Sequence, residues 1–90
     1  MNFAWDEGKA RTNKKKHGVS FLEASEVFAD GHSSCVPDPD HSFAEERRLL
    51  FGLSSKGTPL VVSYTERQSC IRIISARRMT RQERKAYEEE

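Results

Sequence analysis

The sequence predicts an α+β fold, with N-terminal helices packed on an antiparallel β-meander and a C-terminal helix, and three observations carry that prediction. Residues 47–53, 60–65 and 70–76 are short runs rich in Leu, Ile, Val and Phe bounded by turn residues, as strands are. The stretches between them, Ser54-Ser55-Lys56-Gly57 and Glu66-Arg67-Gln68-Ser69, are too short to return a strand in parallel. Helix-start signals at Asp6, Ser20 and Thr80 place helices on either side of the meander. Ninety residues fit one domain, 1–90, with a single modest core.

The elements follow in order. Phe3 and Trp5 alternate with polar neighbours and predict a short strand. Asp6 then caps a helix running to about His17, which Gly18 ends by adopting a left-handed conformation. This helix is nearly devoid of apolar residues: Ala10 shares its face with Asp6, Asn13, Lys14 and His17, so packing alone does not account for it. Ser20 and Glu23 form the pattern of a capping box for the next helix, with Val19 stapled onto Ala24. Phe21, Ala24, Ser25 and Phe28 follow the i, i+3, i+4, i+7 spacing of a face packed on a sheet. Asp30-Gly31 closes that helix, and GHSSCVPDPDHS, with its two prolines, favours turns over regular structure.

In the meander, Arg47, Leu49, Phe51 and Leu53 share one face. Leu60, Val62 and Tyr64 oppose Val61, Ser63 and Thr65. On the last strand Arg72, Ile74 and Ala76 alternate with Ile71, Ile73 and Ser75, and continuing that pleat sets Arg78 on the Arg72 side and Arg77 on the Ser75 side. Thr80 and Glu83 form a capping box for the terminal helix, on which Arg84 and Tyr87 are neighbours.

Charge is partitioned along the chain although the net is only +1. Residues 1–20 hold five basic and two acidic side chains, 21–46 hold seven acidic and no Lys or Arg, and 47–87 hold ten basic against two acidic. A near-neutral protein of this kind can still present a basic face, because a phosphate chain feels the field within about one Debye length, roughly 8–10 Å. Cys35, in the expected loop, and Cys70, on a strand, are read as reduced thiols without a zinc pattern. Asp38, Asp40 and His41 in one turn are weak grounds for a metal, and none is expected. No apolar run approaches the roughly 20 residues that cross a bilayer, and the start lacks the apolar stretch of a secretory signal, so the expected location is the cytoplasm.

The chemistry is expected at the end of the last strand. A guanidinium is planar, permanently charged and able to hold phosphate through two hydrogen bonds, which suits Arg72, Arg77 and Arg78 to backbone capture and to stabilising a phosphorane-like transition state. The same arginines would also solvate a surface and pair with the acidic segment 21–46. His17, after Lys14-Lys15-Lys16, fits a general acid or base near neutral pH or a charge at a helix C-terminus. Glu46 fits a base beside Arg47 and Arg48 or a salt bridge.

Three stretches in order, FAWDEGKARTNKKKHGVSFLEASEVFAD, PDPDHSFAEERRLLFG and VVSYTERQSCIRIISARRMTRQERKAYEE, resemble the BrnT family of bacterial toxins over nearly the whole chain. The resemblance implies a RelE-like fold and a ribonuclease toxin of a type II toxin–antitoxin pair that cleaves RNA, inhibits translation and arrests growth. It implies as partner a BrnA-type antitoxin with a ribbon-helix-helix domain, DNA being bound only through the antitoxin complex. In the wider RelE-type relatives, sheet arginines and lysines and a tyrosine on the last helix carry the chemistry. On this chain those roles fall to Arg72, Arg77 and Tyr87, with His17 or Glu46 as base. No lysine pair stands on the middle strands, and Lys56 lies in a turn. Lys14, Lys15, Lys16, Arg78 and Arg81 would grip the RNA backbone without sequence preference. The expected reaction is metal-independent cleavage of single-stranded RNA with no cofactor. The competing reading is a noncatalytic basic docking module, or a decayed toxin acting through its antitoxin complex in repression.

Overall fold

The computed structural model describes residues 1–38 and 46–89. Strand β1 (Asn2–Ala4) leads into helix α1 (Glu7–His17) and helix α2 (Phe21–Glu26), which runs on into a 3-10 turn at Val27–Ala29. Strands β2 (Ser34–Pro37), β3 (Arg48–Leu53), β4 (Pro59–Arg67) and β5 (Cys70–Arg78) and helix α3 (Arg81–Glu88) complete the chain. The sheet order is β1-β5-β4-β3-β2, antiparallel except that β1 lies parallel to β5. The α+β class and the β3-β4-β5 meander agree with the sequence reading; the expected short N-terminal strand joins the sheet as β1, and β2 is an edge strand that was not expected.

The helices end where their local chemistry requires. Asp6 accepts from Lys9 N at the start of α1, and Gly18 closes it at φ 72°, a conformation only glycine adopts at little cost. Thr80 and Glu83 complete a reciprocal capping box on α3. At α2 the expected box is half made: Ser20 accepts from Glu23 N, but the Glu23 carboxylate accepts instead from Ser54 Oγ at 3.0 Å. That bond ties the helix to the turn between β3 and β4.

The core lies between α2 and one face of the sheet. Val19, Phe21, Ala24 and Val27 pack on Leu50, Leu60, Val62, Tyr64, Ile71, Ile73 and Ala76, with Phe3, Trp5, Ala10 and Phe28 at its margin. Leu50 and Gly52, rather than Leu49 and Phe51, face this core. Gly52 is needed there, because a Cβ would stand 2.8 Å from Val27 Cγ1 and 3.0 Å from Asp30 Oδ2.

Two departures bear on the site. Residues 34–37, expected as turn, form edge strand β2, so Cys35 stands on a strand; a proline at an outer edge costs no ladder bond. The second is a register shift between Ser63 and Tyr64: Ser63 pairs with Ser75 while Tyr64 pairs with Ile73, leaving Ile74 as the extra residue of a β-bulge. Beyond it the alternation slips by one. Ala76 pairs with core residue Val62, Arg78 pairs with Leu60, and Arg77 pairs with Val61. Paired residues share a face, so Arg77, not Arg78, joins Arg72 and Ser75 on the face opposite the core.

Candidate functional site

That second face carries Arg72, Ser75 and Arg77 from β5 beside Thr65, Ser63 and Val61 from β4 and Leu49 and Phe51 from β3. Thr65, Ser63 and Val61 are buried, whereas Ser75 is exposed and the two arginines are half-buried. Arg72 and Arg77 pair with residues four apart on β4, so their backbones stand about 13 Å apart at ~3.3 Å per residue. They therefore stand at separate points along the face.

Helix α1 forms one wall. Its attachment rests on Asn13, which is 6% exposed. Asn13 Nδ2 donates to Val19 O at 3.0 Å and Ala76 O at 2.9 Å, while its Oδ1 accepts from Ala76 N at 3.1 Å. The amide thus takes the place of a neighbouring strand on the edge of β5 beyond the reach of β1. This accounts for a helix without an apolar stripe. Between α1 and β5 lies an open cleft of about 580 Å3 lined by Lys9, Thr12, Lys16, His17 and Ser75, with Asp6 at its rim. The Lys9 backbone N–H holds the Asp6 carboxyl below its ordinary range, and Arg72 adds to that depression.

Helix α3 covers the other end of the face and is fastened by two polar clasps. Arg77 gives both terminal nitrogens to Glu83, at 2.7 and 2.9 Å, and one of them also to Arg78 O. The bond to Arg77 is the largest cause that drives the Glu83 carboxyl down to about 2. Tyr87 Oη donates to Asp30 Oδ2, the same oxygen that accepts from Leu53 N, while Asp30 Oδ1 accepts from His32 N. The Tyr87 hydroxyl is the chief cause of a lowered Asp30 carboxyl.

The residues singled out from sequence are distributed as follows. His17 and Lys16 line the α1–β5 cleft with Ser75, and Arg72 stands on the Ser75 face of β5 near Asp6 at the start of α1. Arg77 shares the face but is held by Glu83. Tyr87 lies with Phe51 and Ser34 at the β2–β3 side, about 10 Å from β5 across two strand spacings, and is not brought to His17. Glu46 is directed elsewhere: its Oε1 accepts from Arg48 Nη2 at 3.0 Å, on the side where Arg48 meets Cys35 and Cys35 meets the core hydroxyl of Tyr64. Lys14 and Lys15 line a separate groove on the far side of α1, Arg81 lines a hollow along α3, and Arg78 is exposed. His41, Asp40 and Glu45 lie outside the described residues. Sequence reasoning assigned no role to Asn13 or Lys9, and to Asp30 only the closing of a helix. For Asn13 a signal existed, a polar residue amid a helix with no other reason to pack.

Among the described residues no helix is long and apolar enough to cross a membrane. Residues 5–83 match the family model described as the ribonuclease toxin BrnT of a type II toxin–antitoxin system. The crystal structure of the Brucella abortus ribonuclease toxin BrnT is similar in fold, with a TM-score of 0.70 over 90% of this chain and 99% of that one, at 23% identity. No curated protein matches the chain.

Proposed function

This chain belongs to the BrnT family of ribonuclease toxins of type II toxin–antitoxin systems, and from that premise we propose that it cleaves single-stranded RNA without a metal ion, using the sheet face that carries Arg72. The observation that supports this most is the bulge at Ile74, which puts Arg72 on the face of β5 that carries Ser75, and Ser75 lines the cleft with Lys16 and His17 of α1. A base and a cation thus line an open cleft, and a second cation stands on the sheet face that borders it.

In this reading His17 takes the proton from a ribose 2′-hydroxyl, and the resulting oxygen attacks the adjacent phosphorus. Arg72, with Lys16, holds the negative charge that grows on the phosphoryl oxygens. The bond to the 5′-oxygen breaks, and that oxygen leaves with a proton from solvent, which the open cleft admits. The products are a 2′,3′-cyclic phosphate and a 5′-hydroxyl. Glu46, bound to Arg48, leaves the role of base to His17. Arg77 takes up a neighbouring phosphate when the RNA displaces Glu83, and Tyr87 serves first to fasten α3. Cleavage of this kind would stop translation and growth in the cytoplasm. A BrnA-type antitoxin with a ribbon-helix-helix domain would silence the toxin and carry the complex to DNA.

The test is incubation of antitoxin-free protein with RNA in excess EDTA, followed by analysis of the new ends. Cleavage persisting with cyclic phosphate termini is the expected result. Abolition by EDTA with rescue by an added divalent cation would refute the metal-free mechanism. One observation favours a noncatalytic docking module instead, namely that Arg77 and Tyr87 already have protein partners; intact RNA under all conditions would favour it.

A further inference from the structure

On the side of α1 turned away from His17, a shallow groove of about 640 Å3 runs between α1 and the start of α2. Trp5, Phe21 and Leu22 give it an apolar surface, with Trp5 and Phe21 in edge-to-face contact at 6.0 Å. Leu22 is 68% exposed, one of three large apolar side chains that stand out among the described residues. Arg11, Lys14 and Lys15 rim the groove. The one acid there, Glu7, accepts from Trp5 Nε1 at 3.2 Å. The groove therefore offers an apolar anchor point beneath a positive rim, the complement of a segment that alternates apolar and acidic side chains.

We propose that this groove is the seat of an acidic, amphipathic segment of the antitoxin, and that it anchors the partner outside the RNA-cleaving face. The proposal rests on the toxin–antitoxin reading of the family and adds the place and chemistry of the contact. Charge complementarity selects a protein segment with Asp or Glu over a second copy of this chain, whose groove rim carries the same sign. The exposed leucine favours it over an RNA strand, because an apolar side chain of a protein segment can cover an isopropyl group that a phosphate chain would leave unmatched; the two are told apart by the variants below. Helix α1 stands between groove and cleft, so the partner can be held here while a further part of it reaches across to Arg72.

Two variants outside the proposed catalytic and RNA-binding residues test this: Leu22→Asp and Arg11→Glu, with Arg11→Lys as the charge-preserving control. Both parent side chains are solvent-exposed, and circular dichroism of each variant verifies the fold. Affinity for the antitoxin encoded with this protein is measured by calorimetry, and RNA cleavage is followed separately without antitoxin. Expected are a loss of affinity of about tenfold or more for Leu22→Asp, as for a buried anchor at an interface centre. Arg11→Glu weakens binding several-fold, chiefly at low salt, and Arg11→Lys restores it. Affinities of Leu22→Asp and Arg11→Glu within twofold of the parent would overturn the proposal, as would an antitoxin that does not bind the parent protein. Lost RNA cleavage with retained antitoxin affinity would assign the groove to RNA and equally overturn it. A parent protein that binds antitoxin but cuts no RNA would count against the nuclease reading alone, because the affinity comparison stands without it.

Discussion

Glu83 accepts from both arms of Arg77 and from the backbone of Thr80, so one carboxylate caps α3, fastens it to the sheet and occupies a candidate phosphate-binding arginine. Its carboxyl is held down to about 2 from an ordinary 4.5. A depressed carboxyl contributes stability that is fully present above its unfolded value and is lost as pH falls through the folded one. The fastening of α3 should therefore be intact at pH 5 and above and weaken between 4.5 and 2. With the Arg77 side chain 40% exposed, solvent screening limits the loss to the order of 1 kcal/mol. Urea denaturation across this range should show that slope in the parent protein and a flatter profile for Glu83→Gln; identical slopes would mean that the carboxylate is not clasping Arg77 in solution. The capping box was legible because its residues are three apart in sequence. The Arg77 bond was not, since it depends on which face Arg77 occupies.

At the scale of elements, that choice of face is decided by one residue. Extrapolating a perfect two-residue pleat puts Arg78 beside Arg72, and the bulge at Ile74 exchanges Arg78 for Arg77. An alternating run of apolar and basic residues reads the same with or without the bulge, so only pairing with β4 reveals it. Strand β2 was hidden for a related reason: its residues have weak strand preference, and its place is set by the edge of β3. By contrast, α1 was delimited correctly from Asp6 to Gly18 because its caps are local. Its polarity left its attachment to the sheet unexplained, and Asn13 supplies that attachment. Asn13→Ala removes three hydrogen bonds and leaves the N–H and C=O of Ala76 and the C=O of Val19 unmatched. Leaving such buried groups unsatisfied costs about 1–3 kcal/mol each in isolation. After relaxation, a total loss of roughly 2–4 kcal/mol is expected from urea denaturation. A loss below ~1 kcal/mol would show that α1 is held by other contacts.

For the molecule as a whole, the charge partition acquires a different meaning from the one composition offers. The acidic stretch 21–46 does not pair with the arginines of β5 in the described residues. Glu23 accepts from Ser54, Glu26 from Ser55, Asp30 from Leu53 and Tyr87, and Glu46 from Arg48. Glu23, Glu26 and Asp30 stiffen the β3–β4 turn, and Asp30 also holds the last helix. The α1–β5 side is left with Lys9, Lys16 and Arg72 against the carboxylate of Asp6, so a chain of net charge +1 still presents a local positive field. Fold class and family were thus readable from sequence; which acids neutralise which bases required the sheet. The central claim is that Arg72 acts by planar, two-point contact with a phosphate and not by charge alone. The measurement that tests it most directly is the cleavage rate of a single-stranded RNA by antitoxin-free parent protein and by Arg72→Lys, both in EDTA. The account predicts cleavage by the parent and a loss of about 100-fold or more in the variant, the usual scale for removing one transition-state contact; equal rates for the two proteins would contradict it.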